Sequence, residues 1–527
     1  MKTILAGLDR MATKGQLGKG KFFESVVGPN VSNSGTPLAR RELLRLLLGG
    51  GALGGLRPDL LEATQRVGGI SGLAADELNP LVRAPEAVPD GLTLRAAVGE
   101  AEIGGGVRAP AWMLNESLPS PLLRVRRGDP FRLTLHNELP DELILHWHGL
   151  TPPEHSDGHP RQAVRRGNAY AYDFTVENRA GTYWYHSHTH HKTAKHTALG
   201  IGGMLIVEDD EEDALGLPSG EWEIPLLLQD RQVDATGRPN NSWSNMMAAY
   251  PDMGTEVFAN GTRRPCLECR AGLYRFRILN GSSARIFRLE RSDRRPLVLI
   301  GNDGGMLERS LTLDAIDIAP AERIDLLLDL SDVRVGEEVV LRSGGFRIPG
   351  GIEHLGAGAQ GAEMDLLRLR IVARERERQN IPERLRAPVG GPDPAAAVRE
   401  RTFEMATWVD EETRTMEYHG INGRTFEMDR ADLRVPFGQT EIWSFANDNI
   451  FAHPIHLHGT HFRVLSRTGG RGAVMPWEIG LKDTVLLYPS ETVSVAVRFS
   501  AHTGLFPLHC HNLRHADVGM MLNVLVE

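Results

Sequence analysis

Pairs of histidines separated by one residue are the most distinctive chemical feature of the sequence. The chain has 20 histidines in 527 residues, a frequency at which about one His-x-His triplet is expected by chance and would carry no weight. An isolated pair is more often a solvated or hydrogen-bonded pair on a strand than a pair of ligands. The chain instead contains five triplets: His146-Trp147-His148, the two that overlap in His186-Ser187-His188-Thr189-His190, His456-Leu457-His458 and His509-Cys510-His511. This number favours metal binding.

A β-strand would place both members of each pair on one side. Side chains at positions i and i+2 project from the same face of a strand, so four such pairs deliver eight imidazoles into one volume. Eight nitrogen donors exceed what one zinc or iron ion uses, and nitrogen coordination without carboxylates points to copper. The alternative, eight imidazoles as ordinary core residues, would bury many polar groups without partners at considerable cost. We therefore predict a copper cluster held by histidines.

The last motif continues into a second candidate metal site. Cys510, His515 and Met520 follow one another at intervals of five residues. A thiolate, an imidazole and a weakly bound thioether are three of the four ligands of a blue-copper site, and His453 would supply the second imidazole. A lone cysteine can also be a small buried hydrophobic residue, but that alternative leaves the neighbouring His and Met unexplained.

The same strand would separate and connect the two sites. If residues 509–511 are extended, Cys510 points to one side of the strand while His509 and His511 point to the other. The single copper and the cluster would then lie on opposite sides of one strand, joined by a short covalent path through Cys510. This path for electrons predicts redox catalysis.

The elements that must position these residues are predicted to be β-strands. From about residue 90, short alternations of apolar and polar residues, such as 122–126 and 131–135, are bounded by Gly, Pro, Asp or Asn. The 57 glycines and 31 prolines fit many tight turns, and regularly spaced short strands indicate sandwiches or barrels. Breaks near 208–213 and 375–400 predict an all-β chain with three domains, 86–210, 211–385 and 386–527.

Composition excludes several functional classes. The chain has 59 Lys+Arg against 68 Asp+Glu, a formal charge of −9, and no concentrated cationic face for nucleic acid. No apolar run approaches the ~20 residues needed to cross a bilayer, so no membrane span is predicted. Three cysteines cannot form a disulfide framework. Cys266 and Cys269 have no further zinc ligands nearby at suitable spacing, and we expect a local disulfide or two unpaired thiols.

Residues 1–85 are predicted to be a leader. Arg40 and Arg41 precede a short apolar stretch rich in Leu, Gly and Ala, which resembles a twin-arginine export signal. The alternative is a short amphipathic helix with two surface arginines. The export interpretation implies the twin-arginine machinery as a partner, export of the folded protein, and a periplasmic or secreted location.

Taken together, the four histidine motifs resemble the copper motifs of the multicopper oxidases, of the three-domain bacterial laccase and copper-efflux oxidase type. The resemblance extends from about residue 90 to the C-terminus and includes 124–129 and 319–323. It implies three cupredoxin-like Greek-key β-sandwich domains with four copper ions, one type 1, one type 2 and two type 3. It also implies four one-electron oxidations of a reductant coupled to the reduction of O₂ to two waters.

The resemblance assigns ligands by position, and all twelve positions are filled. Type 2 copper would be held by His146 and His456. The type 3 pair would be held by His148, His186, His188, His458, His509 and His511. Type 1 copper would be held by His453, Cys510, His515 and Met520.

Two carboxylates are candidates for catalytic proton transfer. Asp157 matches a carboxylate that related enzymes keep beside the cluster, where a titratable group can relay protons; a plain Asp-Gly turn is the alternative. Many bacterial relatives carry Glu after the histidine equivalent to His515, whereas this chain has Ala516. Asp517 is the substitute candidate for that second relay.

The sequence offers two classes of reductant, Cu(I) and aromatic compounds. A Cu(I) oxidase would use methionine-rich segments and carboxylates, but Met246, Met247 and Met253 form only a small cluster that fits loop or core residues better. We predict laccase-like oxidation of phenols or aromatic amines at an exposed edge of His453 or His515, with Phe451 either lining that opening or buried in the core. A non-catalytic copper-binding cupredoxin is a further alternative. His190, His191, His196 and His461 receive no predicted role.

Overall fold

The protein is mostly β-structure. The computed structural model describes residues 78–234, 238–239, 253–351, 360–375, 380–387, 390–409 and 416–527, and 51% of the structure is strand. The predicted all-β fold is confirmed. The twin-arginine motif and two members of the methionine cluster, Met246 and Met247, lie outside the described residues. Within the described part, no helix is long and apolar enough to cross a membrane.

The first sandwich carries two of the histidine pairs. The described part of the chain begins with β1 (Asn79–Pro80), which belongs to the middle sandwich. The strands of the first sandwich are β2 (Glu86–Ala87), β3 (Asp90–Glu102), β4 (Arg108–Leu114), β5 (Leu122–Arg126), β6 (Pro130–Asn137), β7 (Leu145–His148), β8 (Ala169–Thr175), β9 (Gly181–Ser187) and β10 (Gly202–Glu208). Two sheets form, in the orders β4-β3-β6-β8 and β2-β5-β10-β9-β7. In β6, Phe131, Leu133 and Leu135 are buried between more exposed neighbours, because successive side chains of a strand point to opposite faces.

The middle sandwich carries none of the histidine pairs. Its strands are β11 (Glu223–Arg231), β12 (Glu256–Ala259), β13 (Thr262–Arg263), β14 (Pro265–Ala271), β15 (Leu273–Asn280), β16 (Phe287–Arg291), β17 (Leu297–Asn302), β18 (Gly305–Leu313), β19 (Ile316–Ile318), β20 (Arg323–Asp329), β21 (Glu338–Ser343) and β22 (Met364–Arg374). They form sheets in the orders β13-β12-β11-β15-β20-β17-β18 and β1-β14-β22-β21-β16-β19. Strand β1, inside the segment predicted as leader, therefore pairs with the middle sandwich through β14.

The third sandwich carries the other two histidine pairs and Cys510. Its strands are β23 (Ala397–Val409), β24 (Met416–Ile421), β25 (Leu433–Val435), β26 (Thr440–Asn447), β27 (His453–Leu457), β28 (Phe462–Thr468), β29 (Thr484–Leu487), β30 (Glu491–Arg498), β31 (Gly504–Cys510) and β32 (Met521–Val526). The two sheets have the orders β24-β23-β26-β30-β28 and β25-β32-β31-β27-β29. Residues from both sheets, including Phe445, Trp443 and Leu508, share one buried core.

The helices of the described part are short. They are α1 (Thr193–Leu199), α2 (Asp210–Asp213) and α3 (Leu513–Asp517), with 3₁₀ turns at Glu154–Ser156, Pro160–Gln162, Gly220–Trp222, Pro394–Ala396 and Pro476–Glu478. Helix α1 follows the second histidine motif and packs against α3, which follows the last motif. Because α1 belongs to the first sandwich and α3 to the third, this contact joins the two sandwiches that carry histidines.

Candidate metal centres

Eight histidines from four strands meet between the first and third sandwiches. Strand β7 pairs with β9 so that His146 lies opposite His186. Strand β27 pairs with β31 so that His456 lies opposite His509. Each sandwich therefore contributes two adjacent strands, and the i, i+2 spacing directs both imidazoles of each pair towards the shared volume. This convergence could not be established from spacing alone, because it depends on how the two sandwiches dock.

The imidazole nitrogens approach one another closely across the interface. The Nε2 atom of His146 lies 3.4 Å from Nε2 of His456, and Nε2 of His186 lies 3.4 Å from Nε2 of His511. The Nε2 atom of His509 lies 3.2 Å from Nε2 of His188 and 3.2 Å from Nε2 of His458. All eight histidines, the seven named here and His148, are buried. Three of these four approaches join a residue of the first sandwich to one of the third, and the fourth, between His458 and His509, lies within the third sandwich.

Hydrogen bonds to the other ring nitrogen determine which nitrogen faces this space. Nδ1–H of His146 donates to the carbonyl of Asp157 at 2.7 Å, and Nδ1–H of His456 donates to the carbonyl of Asp483 at 2.9 Å. Nδ1–H of His509 donates to the carbonyl of Cys510 at 3.0 Å. When such a ring is neutral, its Nε2 carries no proton, and such an outer hydrogen bond is typical of metal-ligating histidines.

Unprotonated nitrogens facing each other in a buried space fit a bound cation. When both rings are neutral, His146 and His456 present lone pairs to each other 3.4 Å apart. Burial lowers the pKa of His146 well below its usual range and that of His186 to about 3, so these two rings resist protonation. A metal ion relieves the contact, and a nitrogen-only donor set is one that copper accepts.

The ligand atoms form overlapping subsets, each of the size that a single metal ion uses. His188, His458 and His509 form one set, and His146, His456 and His458 form another, each with its ligand atoms within 4.8 Å of one another. His146, His148 and His186 form a third, and His511 joins it through His186. His146 and His456, the two residues expected to hold type 2 copper, lie in the same subset, together with His458.

Asp483 supports the cluster and was missed by the sequence analysis. Its Oδ1 atom accepts a hydrogen bond from Nε2–H of His148 at 3.0 Å, while its carbonyl holds His456. Nδ1 of His148 has no hydrogen-bond partner in the described part of the chain, so it is the nitrogen left for a metal. Asp483 stands between Lys482 and Thr484, outside every histidine motif, and only its burial beside the cluster reveals it.

The middle sandwich reaches the cluster through Arg323. Its guanidinium is fully buried and contacts both oxygens of Asp483, at 2.8 and 2.5 Å. Burial alone would raise the pKa of Asp483, but Arg323 and His148 hold it well below its usual range. Arg323 belongs to the 319–323 segment that resembles the family, and this contact supplies a structural reason for that segment.

Asp157 is positioned between His146 and His458, two histidines whose ligand atoms belong to one subset. Its Oδ2 atom accepts Nδ1–H of His458 at 2.7 Å, and its carbonyl accepts Nδ1–H of His146. The carboxyl is fully buried, and its Oδ1 atom has no hydrogen-bond partner among the described residues. Burial raises the pKa of Asp157 well above its usual range. The position agrees with the sequence expectation of a carboxyl beside the cluster.

Asp517 occupies a different kind of position from Asp157. Its Oδ1 and Oδ2 atoms accept the backbone N–H groups of Thr193 and Ala194 at 2.9 and 3.0 Å. Both oxygens are therefore used at the N-terminus of α1, where unpaired N–H groups need an acceptor. Burial raises the pKa of Asp517 to about 7 against the lowering effect of these N–H groups. Through these hydrogen bonds, Asp517 of the third sandwich contacts α1 of the first sandwich. Its predicted role in proton transfer stays a prediction.

Cys510 forms the second candidate site with two histidines. Its Sγ atom lies 3.4 Å from Nδ1 of His453 and 3.7 Å from Nδ1 of His515, and these two nitrogens lie 3.1 Å apart. Met520 is fully buried in the same core, and its carbonyl accepts Cys510 N–H at 3.0 Å. Sulfur and two imidazole nitrogens so arranged are the strong donors of a blue-copper site.

The two sites lie on opposite sides of β31. Sγ of Cys510 faces His453 and His515, whereas Nε2 of His509 faces His188 and His458. The residue after the strand, His511, faces His186. Neighbouring residues therefore serve separate sites, as the period of an extended chain predicts.

The remaining residues from the sequence analysis have other contacts. Ser187 Oγ, at the end of β9, lies 2.8 Å from Nδ1 of His196. Nε2 of His196 lies 3.3 Å from Asp141, so His196 links the end of this strand to Asp141. His191 Nδ1–H donates to the Asp517 carbonyl, His190 stacks on His191, and His461 lies 3.6 Å from Asp483. Cys266 and Cys269 are unpaired buried thiols, the second of the two states considered for them.

Comparison with known proteins agrees with this geometry. Family profiles described as "Multicopper oxidase" match residues 95–212 and 396–527, the two segments that carry the histidine motifs. Bilirubin oxidase from Albifimbria verrucaria is 32% identical over 419 residues, covering 76% of this chain and 70% of that protein. The chain therefore belongs to the multicopper oxidase family, whose members are copper oxidoreductases.

Solved structures extend the likeness to the whole fold. McoA multicopper oxidase from the hyperthermophile Aquifex aeolicus has a TM-score of 0.76 at 31% identity, covering 85% of this chain and 99% of that chain. A laccase-like multicopper oxidase, CueO, from the lignin-degrading bacterium Ochrobactrum sp. has a TM-score of 0.75 at 30% identity, covering 85% and 100%. The predicted cupredoxin-like fold class is confirmed.

Replacement of Asp157 tests its support of the cluster. Asp157→Ala removes the acceptor of His458 Nδ1–H, and loss of such an outer partner typically lowers metal affinity or activity by about 10–100-fold. We expect copper to be lost from the variant at correspondingly lower chelator concentration, measured by metal analysis after dialysis. The exposed Asp173 of β8 provides the control, Asp173→Ala, and equal copper retention in the two variants would contradict the assignment.

Proposed function

We propose that this multicopper oxidase oxidises aromatic donors, phenols or aromatic amines, one electron at a time and reduces O₂ to water, with four copper ions per chain. The observation that carries the proposal is the placement of Cys510 Sγ in one site while its neighbours His509 and His511 lie in the other. When bound, copper supplies a one-electron acceptor at the Cys510 site and an oxygen-reducing centre among the eight histidines.

The chain itself provides the connection between the sites. Cys510 is bonded through its backbone to both His509 and His511, and Nδ1–H of His509 donates to the Cys510 carbonyl at 3.0 Å. The hydrogen bond gives a second, shorter connection beside the covalent one. The covalent path and the hydrogen bond both lie within β31 and the residue after it, so the conformation of the strand determines their geometry.

The assigned ligands follow the two sites. We propose His453, Cys510, His515 and Met520 for type 1 copper, His146 and His456 for type 2, and His148, His186, His188, His458, His509 and His511 for the type 3 pair. Asp157 would orient His146 and His458 and hold a proton at Oδ1, the buried carboxyl oxygen that has no partner in the described part of the chain. A proton held there lies beside the place where O₂ reduction consumes protons.

Aromatic donors suit the surroundings of the Cys510 site. His453 and His515 are both 0% exposed, so the expected exposed imidazole edge is wrong, and a donor must transfer its electron through covering groups. Phe451, also buried, lies against His515 with ring centroids 5.5 Å apart. Such a transfer does not require a donor that coordinates copper. Two similar proteins support the proposal of organic donors. One is named bilirubin oxidase, and the other, the Ochrobactrum enzyme, is described as active towards lignin model compounds.

Oxygen uptake with two reductants tests the proposed donor class. We expect the copper-loaded protein to consume O₂ with a methoxyphenol, and to do so at a similar rate when excess copper is removed by a chelator. A Cu(I) oxidase would instead show uptake that depends mainly on added Cu(I). A copper-storage protein would consume no O₂ with either reductant, and either of these results would overturn the proposal.

Replacement of the cysteine tests the electron path. Cys510→Ser is expected to remove the copper–thiolate absorption near about 600 nm, leave about three of four coppers bound, and abolish O₂ uptake with the phenol. The readouts are the visible spectrum, metal analysis and an oxygen electrode. Cys266→Ser, a substitution of a buried thiol in β14, is the matched control and should retain all three properties. Undiminished phenol turnover in Cys510→Ser would contradict the path.

We also propose that residues 1–85 include a twin-arginine signal and that the protein acts in the periplasm or outside the cell. Arg40 and Arg41 before a short apolar stretch support this. Replacing both by Lys should trap the protein in the cytoplasm, as measured by cell fractionation. Unchanged export of the Lys variant would contradict the signal, and an Arg10→Lys variant is the control.

A further inference from the structure

One histidine outside all of the motifs packs directly on the Cys510 site. His419, in β24, is fully buried, and its ring lies against that of His515 with centroids 4.0 Å apart and a tilt of 34°. It is also 6.1 Å from the ring of His453 in an edge-on arrangement. His419 therefore contacts one candidate ligand closely and approaches a second.

A hydrogen-bonded threonine determines the orientation of this ring. Thr407 lies opposite His419 in the β23–β24 pair, and its Oγ1 atom is 2.8 Å from Nδ1 of His419. The side-chain amide of Asn449 donates to the same hydroxyl. With that hydrogen bond in place, the hydroxyl proton is available for Nδ1, and all three side chains are buried. A buried polar group that is fully paired in this way is held in one geometry.

The same network reaches the chain segment that leads to His453. Oδ1 of Asn449 accepts the backbone N–H of Ile450 at 2.6 Å and that of Phe451 at 3.3 Å. These residues immediately precede Ala452 and His453. The chain of contacts from His419 through Thr407 to Asn449 thus begins on the ring of His515 and ends on the backbone that places His453.

We propose that His419 is a positioning residue of the type 1 copper site, an inference that rests on the proposed function. The stacked ring restrains rotation of His515, and the Thr407–Asn449 hydrogen bonds couple that restraint to the His453 segment. Groups that orient metal-ligating imidazoles tune both the affinity and the redox potential of a copper site. His419 is thereby assigned an effect on the potential at which the enzyme accepts electrons.

Three substitutions separate the stacking from the hydrogen bond. His419→Ala removes both, His419→Phe keeps an aromatic ring against His515, and Thr407→Val keeps the shape of the threonine but removes its hydroxyl. Each variant is purified with copper, and the measurements are the midpoint potential of the type 1 copper, the position of its visible band, and the rate of copper loss to a chelator. His159→Phe, at a buried histidine bonded to Asn523, is the control.

The proposal predicts an ordered series. His419→Ala should shift the potential and the band and increase the rate of copper loss by about tenfold or more. His419→Phe should recover most of the copper retention but not the potential, and Thr407→Val should shift the potential in the same direction as His419→Phe. Spectra and potentials equal to wild type in all three variants would overturn the inference. A wild-type protein without a copper–thiolate band would instead overturn the proposed function, so the two failures are distinguishable.

Discussion

Repulsion between buried, unprotonated imidazole nitrogens is the constraint on which the rest of the site depends. Where Nδ1 donates to a backbone carbonyl, as in His146 and His456, the opposing Nε2 atoms cannot hydrogen bond to each other. Burial opposes protonation as a solution. Such a cluster is unfavourable on its own and is stabilised by cations, so metal binding and the docking of the first and third sandwiches are coupled.

Among the described residues, the middle sandwich supplies none of the candidate ligands but contacts the site through Arg323. Placing Arg323 and Asp483 together in the interior costs several kcal/mol of desolvation per ion before their attraction is counted, which makes the pair weak as a source of stability. The pair instead orients ligand candidates, since the Asp483 carboxylate bonds to His148 and the Asp483 carbonyl bonds to His456. One buried charge pair therefore connects the middle sandwich to histidines of both others.

Local periodicity accounts for what could be predicted from the sequence. The spacing of His509, Cys510 and His511 predicts their division between two sites because side-chain direction in a strand depends only on residue parity. Asp483, Arg323 and His419 carry no comparable pattern, since their roles arise from contacts between elements distant in the chain. Asp517 is singled out by its position close to His515, whereas the helix end that both of its oxygens contact lies more than 300 residues away in the chain and has no local pattern that indicates it.

Burial of both imidazoles beside Cys510 has a consequence for how donors are selected. Donors that cannot touch a ligand are discriminated by their potential and by how closely they approach the covering groups, rather than by coordination. Under the proposed function, such an enzyme would accept aromatic donors whose potentials match that of the site. Under the proposed function and the proposed role of His419, the potential becomes the property on which specificity depends, and residues packed on His515 act on donor choice without contacting the donor.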